Sequence, residues 1–425
     1  NEEAFFYSIK VALALNCKIQ DLIKFDRKNY YYPDLPKNFQ ISQYDMPLSY
    51  DGYVDIISKD SPKRIRIKRV HLEEDAGKLV HPEGESYSLV DYNRSGMPLL
   101  EIVTEPDMNS PDEAYSYLTK LKAILGYLKV SDCDMEKGSL RCDANISIRP
   151  LGEKALGTKV EVKNMNTFKG VRAALEHESG RQLSVLEEGG KIFQETRLWD
   201  AEKNSTFSMR SKEEAKDYRY FPEPDLVPFV VDGSLIEKAK AGLPELPEVR
   251  KARFQKDYGL SAYDADVLTG NIDVAEYFEE CCAGYQDKKK IANWIMGDIR
   301  AEMNERNLGI REIALTPAYL LELLKMVDGG TLSGKMAKDV LVEIMDSGAS
   351  PASIVSKKGL SQITDTGEIE KAVKAVIEKN EKSVSDYKGG KKNAFTFLVG
   401  QVMKETKGKA SPSAVNEILK KLLDS

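Results

Sequence analysis

The chain has 425 residues, of which 41% are hydrophobic and 31% charged, and its formal net charge is −6. This length allows two or three domains with buried cores, and the acidic balance excludes a protein that coats nucleic acid with its whole surface. No apolar run reaches the roughly 18 residues of a membrane span, no stretch has the pattern of a signal peptide, and the five cysteines lack paired spacing. We therefore expect a cytoplasmic protein with reduced thiols and no membrane partner.

Short alternating strands and a few helices are predicted over the first ~240 residues. An amphipathic helix is predicted over Glu3–Leu15, and because no Met precedes it we expect the biological N-terminus to lie upstream. The alternation of Arg64–Ile67 loses its parity at Lys68–Arg69, which predicts a β-bulge. Ser110 and Glu113 form a capping box that predicts the start of a second helix.

A third helix is predicted from Lys169 to Gly189–Gly190, and the two prolines of Gly242–Pro247 indicate a linker. Beyond the linker, amphipathic helices alternate with short turns, so an all-α region is expected. The clearest of these predicted helices are Ala318–Val327, Ser333–Met345, Glu368–Glu378, Ala394–Lys404 and Ser413–Leu423. The fold class predicted is α+β: a β-rich domain with flanking helices (1–241), an all-α bundle (242–355) and a small helical tail domain (356–425).

Two predicted strands carry one apolar and one chemically rich face. Over residues 140–149, Leu140, Cys142, Ala144, Ile146 and Ile148 alternate with Arg141, Asp143, Asn145, Ser147 and Arg149. Residues 157–164 repeat the pattern, with Lys159, Glu161 and Lys163 opposite Val160 and Val162. A solvated sheet face is one interpretation, and a site that handles phosphate and a metal is the other.

Two further polar stretches allow both a structural and a functional interpretation. The acidic run in HLEEDAGK (71–78) suits a solvated loop, but it also suits oxygen ligands for a hard cation. The tyrosines of FDRKNYYYPDLPKNFQISQYD (25–45), interleaved with Arg27, Lys28 and Lys37, can pack on themselves or stack on an RNA end or a nucleotide base. Glu101 interrupts an apolar strand, where a carboxylate is rarely without a role.

The segment GGTLSGK (329–335) matches the spacing of a phosphate-binding loop without its context. Met336 stands where such a loop needs Ser or Thr, and the preceding segment is helical. We interpret Ser333 as the N-cap of a helix instead.

Basic residues are concentrated in the tail. Residues 381–425 contain nine lysines and five acidic residues, a balance of +4, so the rest of the chain carries −10. The lysines around the predicted helix Ala394–Lys404 are candidate RNA-binding residues, namely Lys388, Lys391, Lys392, Lys404 and Lys407. A solvated helical face is the alternative.

Taken in order, these stretches resemble those of the GatB/GatE family, the B subunits of tRNA-dependent amidotransferases. The resemblance rests on residues 25–45 and on RVHLEEDAGK, SLVDYNRSGMPLLEIVTEPD, GSLRCDANIS, KVEVKNMNTF, QETRLWD, DYRYFPEPDLVP, GTLSGKMAK and FLVGQVMK. It implies a complex with an amidase subunit and a small third subunit, and tRNA(Gln) and/or tRNA(Asn) as partners. It also implies that a β-rich cradle domain (1–241) uses ATP and Mg²⁺ to phosphorylate the side-chain carboxylate of Glu-tRNA(Gln) or Asp-tRNA(Asn). Ammonia from the amidase subunit then replaces the phosphate, and the helical region (242–425, including a YqeY-like part) grips the tRNA.

The resemblance, applied residue by residue to these motifs, implies a set of site residues. Glu74 and Glu101 are expected to hold magnesium, and Lys28 and Arg141 are expected to contact the phosphates of ATP. Lys28, Asp143 and Glu161 are the expected catalytic residues.

Two alternatives remain at this level. A non-catalytic tRNA-binding scaffold fits the basic tail, and it also fits the lack of the GLEVHVEL-like strand with which family members begin. The archaeal GatE-type paralogue carries a large inserted domain, for which the run from Asp217 to Gly242 leaves no room.

Overall fold

The computed structural model describes residues 1–82, 84–209, 218–360, 366–406 and 410–424, apart from the side chains of residues 366, 392, 412 and 413. The chain divides into two compact units, Asn1–Arg250 and Lys251–Ser425. The first combines sheets with helices and the described part of the second is helical, so the predicted α+β class is confirmed. The predicted boundaries at 241/242 and 355/356 stay predictions.

The first unit contains fifteen short or medium strands in its described residues. They are β1 (Lys18–Ile19), β2 (Leu22–Ile23), β3 (Asp26–Asn29), β4 (Phe39–Ser42), β5 (Ser49–Ser58), β6 (Ser61–Glu74), β7 (Lys78–Val80), β8 (Leu89–Asp91), β9 (Pro98–Thr104), β10 (Ala144–Ile146), β11 (Val160–Lys163), β12 (Thr196–Asp200), β13 (Ser205–Ser208), β14 (Phe221–Pro222) and β15 (Phe229–Val230). Its helices are α1 (Glu2–Ala14), α2 (Pro111–Leu128), α3 (Phe168–Glu187) and α4 (Gly233–Ala241), while α5 (Pro247–Tyr258) crosses the boundary.

Two four-stranded sheets form the framework of this unit. One has the antiparallel order β1-β5-β6-β9, and the other has the order β10-β11-β12-β13 with a parallel β11–β12 pair. Smaller sheets have the orders β14-β3-β4, β15-β2 and β7-β8. A continuous apolar core joins the inner faces of the two large sheets with α1, α2 and α3, and it includes Ile67, Val70, Leu121 and Trp199.

The predicted bulge in β6 is confirmed. The pairing of β6 with β9 shifts register between Ile67 and Arg69. Ile65 and Ile67 lie in the core before the bulge and Val70 lies in it afterwards. The extra residue therefore places Arg69, His71 and Glu73 on the face of β6 opposite the core.

The start of α2 follows the predicted cap with one difference. Ser110 Oγ accepts from the backbone N–H of Glu113, as predicted. The carboxylate of Glu113, however, accepts from the N–H of Asn109 at 2.6 Å rather than from Ser110. Ser58 Oγ and Lys63 Nζ, both at 2.6 Å, also donate to it, so a cap residue links α2 to the β5–β6 hairpin.

The second unit is built from helices that match the predicted ones. They are α6 (Ala262–Thr269), α7 (Ile272–Gly284), α8 (Lys288–Trp294), α9 (Arg300–Arg306), α10 (Pro317–Asp328), α11 (Gly334–Ser347), α12 (Pro351–Lys358), α13 (Thr366–Lys379), α14 (Glu381–Lys388), α15 (Lys392–Glu405) and α16 (Pro412–Leu423), with a turn of π-helix at Ile295–Ile299. One core lies within residues 254–354 and a separate, smaller core lies within residues 369–423. Ser333 caps α11, and α10 precedes it, so the interpretation against a phosphate loop is confirmed.

We expect Ser110→Ala to lower the free energy of unfolding of the first unit by about 1 kcal/mol, because the substitution removes the acceptor of one helix-terminal N–H. Trp199 lies in this unit and Trp294 in the other, so urea unfolding followed by Trp199 fluorescence in a Trp294→Phe background measures the change. Thr119→Ala, at an exposed position of the same helix, should change stability by less than about 0.5 kcal/mol. Equal effects of the two substitutions would contradict the assigned cap.

Candidate functional site

Three side chains that suit a metal ion meet where β6 pairs with β9. His71 lies directly opposite Glu101 in the ladder, and Glu73 is two residues further on the same face of β6. His71 Nε2 is 3.4 Å from Glu73 Oε2 and 3.6 Å from Glu101 Oε2. One ligand atom from each residue lies within 4.8 Å of the others. We call these three residues the His71 group.

Burial and neighbouring groups act in opposite directions on the pKa of Glu73. Burial by itself would raise the pKa of the Glu73 carboxyl, but the hydrogen bond and charge of His71 and the charge of Lys28 hold that pKa below its ordinary value. Ser42 Oγ donates to Glu73 Oε2 at 3.1 Å. Glu73 is thus a buried carboxylate that stays ionised, which a cation ligand must be.

Aromatic rings and two further cations surround the group. Lys28 Nζ lies 5.0 Å from the ring centre of Tyr218, and Tyr220 stacks on Tyr44 at 4.4 Å. Burial and the nearby charge of Glu73 raise the pKa of Tyr220 to about 12. The Nε of Arg69, two residues before His71, is buried and has no hydrogen-bond partner among the described residues. Lys28 and Arg69 are therefore positive groups beside a carboxylate cluster.

The donor set of the His71 group fits a hard divalent cation. Two carboxylate oxygens and one imidazole nitrogen come from adjacent strands, which hold them in one geometry. Glu101 is exposed over 45% of its side chain, so a cation bound here can keep water or phosphate oxygens among its ligands. Nδ1 of His71 is buried and has no hydrogen-bond partner in the described part of the chain.

Glu101, one of the two expected metal ligands, belongs to the His71 group, but Glu74 does not. Glu74 is one residue out of phase with His71 and Glu73, and its Oε1 accepts from Lys37 Nζ at 2.5 Å and from the N–H of Ile41 at 2.9 Å. Through these two hydrogen bonds Glu74 joins β6 to the segment that contains β4. Its expected role as a metal ligand stays a prediction, and the geometry favours Glu73.

A second group of charges lies on the sheet that contains β10 and β11. Lys163 Nζ is 2.6 Å from Asp143 and 3.4 Å from Glu161. Thr196 Oγ1, from β12, donates to Glu161 at 2.8 Å. Burial would lower the pKa of Lys163, but the hydrogen bond from Lys163 to Asp143 and the two negative charges raise it above its ordinary value. We call these four residues the Lys163 cluster.

The predicted alternation of residues 140–149 holds over residues 140–146, and the strand is shorter than predicted. Only Ala144–Ile146 pairs as a strand, with Asn145 opposite Glu161. Arg141 and Asp143 precede it and are exposed, while Leu140 and Cys142 pack against the core. The polar side chains of this segment therefore project away from the core, as expected.

Arg141 connects the two groups of charges. Its guanidinium lies 2.7 Å from Asp75 Oδ2, and Asp75 is two residues beyond Glu73. Arg141 is also two residues before Asp143. The end of β6 and the polar face that begins at Asp143 are therefore joined through one ion pair, and Arg141 as a phosphate contact stays a prediction.

The candidate RNA-binding lysines lie around α15 in the second unit. Lys388 ends α14, Lys404 lies in the last turn of α15, and both are exposed. Lys391 precedes α15 and its Nζ is 2.9 Å from Asp386. The side chain of Lys392 is not described, and Lys407 lies outside the described residues.

Sequence reasoning overlooked His71, Glu73 and Lys163 as site residues. The parity break at Lys68–Arg69 carried the needed signal, since counting every second residue from Arg69 selects His71 and Glu73. Lys163 was recognised on the polar face, but the sequence alone does not show that Asp143 and Glu161 lie beside it in space.

Comparisons with known proteins cover both units. Residues 1–237 match the family model of the GatB/GatE catalytic domain, and residues 276–423 match that of the GatB domain. A protein of Carboxydothermus hydrogenoformans, named as the B subunit of aspartyl/glutamyl-tRNA(Asn/Gln) amidotransferase, is 55% identical over 423 residues, which cover 99% of this chain and 88% of that protein. Proteins of the same name from Caldanaerobacter subterraneus and Brevibacillus brevis are 54% and 50% identical, and each alignment covers 100% of this chain and 89% of the relative.

All five cysteines are free thiols. Within the described part of the chain, no helix combines the length and the apolar composition needed to cross a membrane.

We expect Glu73→Gln to raise the Kd of the chain for Mn²⁺ by about tenfold or more, because it removes one ionised ligand. Glu74→Gln should change that Kd by less than about threefold, since its carboxylate is engaged by Lys37 and Ile41. Electron paramagnetic resonance of free Mn²⁺ during titration measures both constants. If Glu74→Gln loses Mn²⁺ binding and Glu73→Gln does not, the metal ligand is Glu74 and not Glu73.

Proposed function

The chain belongs to the GatB/GatE family, and from this premise we propose that it is the B subunit of a tRNA-dependent amidotransferase. In this role it uses ATP to activate the side-chain carboxylate of Glu-tRNA(Gln), Asp-tRNA(Asn) or both, and it then catalyses amidation with ammonia from an amidase subunit. The enzyme is thus an ATP-dependent carbon–nitrogen ligase with glutamine as the amide donor. Its proposed partners are the amidase subunit, a small third subunit and the tRNA, and its proposed location is the cytoplasm.

The observation that carries the proposal is the His71 group. Three ligand-type side chains, two of them buried, lie beside Lys28 and Arg69. Phosphoryl transfer needs a divalent cation and positive groups around the transferred phosphate. A binding scaffold has no need to place a buried, ionised carboxylate beside a second carboxylate and an imidazole, and no observation on the described residues favours that alternative.

The first step activates a poor acyl donor. An oxygen of the substrate carboxylate attacks the γ-phosphorus of ATP, the bond to the bridging oxygen breaks, and an acyl phosphate and ADP form. We assign Lys28 and Arg69 to the equatorial phosphate oxygens, which carry the charge in the transition state, because both are positive groups beside the His71 group. His71, Glu73 and Glu101 would hold Mg²⁺, which would supply positive charge against the phosphate oxygens.

In the second step an amide nitrogen, supplied by ammonia, replaces the phosphate on the acyl carbon. Ammonia attacks the acyl carbon, the carbon–oxygen bond to phosphate breaks, and one N–H proton must leave. Asp143 and Glu161 supply carboxylates that can accept this proton or orient the ammonia, while Lys163 holds both in place. Arg141, which pairs with Asp75, is our proposed contact for the leaving phosphate or the ATP phosphates.

We expect Glu73→Gln to lower ATP-dependent amidation by about 100-fold in the reconstituted three-subunit complex, because it weakens the cation site that phosphoryl transfer requires. The assay follows Gln-tRNA(Gln) formed from Glu-tRNA(Gln), with and without ATP, and traps acyl phosphate with hydroxylamine. Affinity for tRNA should stay within a few-fold.

The matched control is Glu136→Gln, at an exposed glutamate in the loop after α2, which should retain full activity. A complex that amidates at the wild-type rate with Glu73→Gln would refute the assigned site. A wild-type complex that binds Glu-tRNA(Gln) but never amidates it would favour the scaffold.

A second prediction concerns the tail. Backbone phosphate contacts release counterions, so replacing Lys388, Lys391 and Lys404 together with alanine should reduce the slope of log Kd for tRNA against log salt by about two to three. Amidation at saturating tRNA should be preserved, since these lysines are not among the residues assigned to the chemistry.

The matched control replaces Lys371, Lys374 and Lys379 of α13 with alanine. It removes the same number of positive charges from another helix that packs on the small core of residues 369–423. Filter binding at several salt concentrations gives the slopes. An unchanged slope in the first variant would show that these lysines do not contact the tRNA.

A further inference from the structure

Asp75 extends the polar face of β6 by one residue. It lies just beyond the strand, yet its N–H donates to the carbonyl of Met97 at 2.7 Å, which continues the register of the β6–β9 pairing. The two-residue period of the strand therefore places Asp75 on the face that carries His71 and Glu73. At the rise of about 3.3 Å per residue, Asp75 lies roughly 7 Å beyond Glu73 along the chain.

Two guanidinium groups share one oxygen of Asp75. A terminal nitrogen of Arg141 lies 2.7 Å from Asp75 Oδ2, and Nε of Arg94 lies 3.7 Å from the same atom. The side chain of Asp75 is 11% exposed, whereas those of Arg141 and Arg94 are 45% and 36% exposed. Two positive charges therefore face one negative charge, and both arginine side chains are partly open to solvent.

The backbone around Arg94 fixes where its side chain begins. The N–H of Met97 donates to the carbonyl of Arg94 at 3.1 Å, and the N–H of Gly96 donates to the carbonyl of Asp75 at 2.9 Å. Gly96 has a φ of +81°, which glycine adopts without strain. On the other side, a Cβ on Gly138 would lie 2.7 Å from Arg94 Nη1, so the loop after α2 leaves room for the guanidinium only because it has glycine here.

The donors of Arg94 remain unused within the described part of the chain. Its guanidinium has the ion pair with Asp75, but its Nε, although buried, has no hydrogen-bond partner among the described residues. A guanidinium presents a planar fork of N–H donors that matches the oxygens of a phosphate. The cation ligands His71 and Glu73 precede Asp75 on the same face. A cation site and two guanidinium groups this close together fit a ligand with several linked oxyanions, such as a polyphosphate, better than a single carboxylate.

We propose that Arg94 and Arg141, which we call the arginine pair, bind the phosphates of ATP that remain in ADP, and that Asp75 is the positioning residue that holds the pair. This inference rests on the proposed function, which makes ATP the phosphoryl donor and assigns the transferred phosphate to Lys28 and Arg69. Negative charge builds up on the departing ADP as the bond to the bridging oxygen breaks, and two guanidinium groups stabilise that charge.

The first test measures the Kd of ADP for the reconstituted three-subunit complex by isothermal titration calorimetry. Arg94→Gln should raise this Kd by about tenfold or more, because a charged hydrogen bond to phosphate is lost. Arg94→Lys, which keeps the charge but lacks the planar fork, should raise it by about threefold or more. The Kd of adenosine, which has no phosphate, should be the same in both variants and in the wild type.

Three results of this titration would overturn the proposal. They are a Kd for ADP that neither Arg94 variant changes, an equal loss of adenosine binding, and a wild-type complex that does not bind ADP. Steady-state amidation separates the remaining source of an oxyanion. Arg94→Gln should raise KM for ATP and leave KM for Glu-tRNA(Gln) within about threefold; the reverse pattern would assign the arginine pair to the substrate carboxylate.

The second test concerns Asp75 as a positioning residue. Asp75→Asn should lower kcat by about tenfold, because a neutral amide does not hold two guanidinium groups in one place. It should not raise KM for ATP, because it also removes a negative charge from beside the phosphates. A variant that only destabilised the fold would not show this split.

The matched control is Asp107→Asn. The carboxylate of Asp107 accepts from the guanidinium of Arg66, on the same strand, at 2.7 and 2.9 Å, and its side chain is 18% exposed. This variant loses an ion pair of β6 away from the arginine pair, so kcat and KM should stay within about twofold. An equal fall of kcat in the Asp75 and Asp107 variants would show that Asp75 only stabilises the strand.

These outcomes are separable from the proposed function. If the wild-type complex amidates Glu-tRNA(Gln) and the Arg94 variants bind ADP normally, the function stands and the arginine pair falls. If the wild-type complex does not amidate but its binding of ADP depends on Arg94, the arginine pair stands without that function.

Discussion

The bulge at Lys68 in β6 is the constraint on which the candidate site depends. With strict alternation from the buried Ile65 and Ile67, the side chains of Arg69, His71 and Glu73 would enter the apolar core, where unpaired charges are very costly. The register shift between Ile67 and Arg69 sends Val70 to the core instead. It therefore releases three polar residues to the opposite face of the strand, where Glu101 meets them from β9.

Each acidic side chain of the two charge groups and of the end of β6 has a cationic or hydrogen-bonding partner nearby. Glu73 has His71, Lys28 and Ser42, and Asp143 and Glu161 share Lys163. Glu74 and Asp75, which follow in sequence, are held by Lys37 and Arg141. One acidic run therefore has two roles, because Glu73 and Glu74 point to opposite faces of β6 and Asp75 lies beyond the end of that strand. Glu73 is available for a cation while Glu74 and Asp75 fasten the strand end to neighbouring segments.

Chemistry and charge are distributed differently in the two units. The paired acids and bases that suit phosphoryl transfer belong to the first unit, on strands whose partners fix their positions. The candidate RNA-binding lysines that the structure describes, Lys388, Lys391 and Lys404, belong to or flank short helices around the small core of residues 369–423. Rigid strands suit reacting groups that must be placed accurately, whereas a long flexible side chain suffices to meet a phosphate backbone.

Local pattern in the sequence determined the helices, the cap at Ser110, the bulge and the two-faced strands, because each depends on residues a few positions apart. It also selected Glu101, Asp143 and Glu161 as members of charge clusters, although their roles stay predictions. The parity after the bulge already distinguished Glu73 from Glu74 as the neighbour of His71. Tertiary structure alone decided that Lys163 lies between Asp143 and Glu161. It also placed Arg94 and Arg141 beside the same carboxylate oxygen of Asp75. These contacts join residues up to 66 positions apart, as Arg141 and Asp75 show by number (141 − 75), and strand register sets such pairings, which no local pattern encodes.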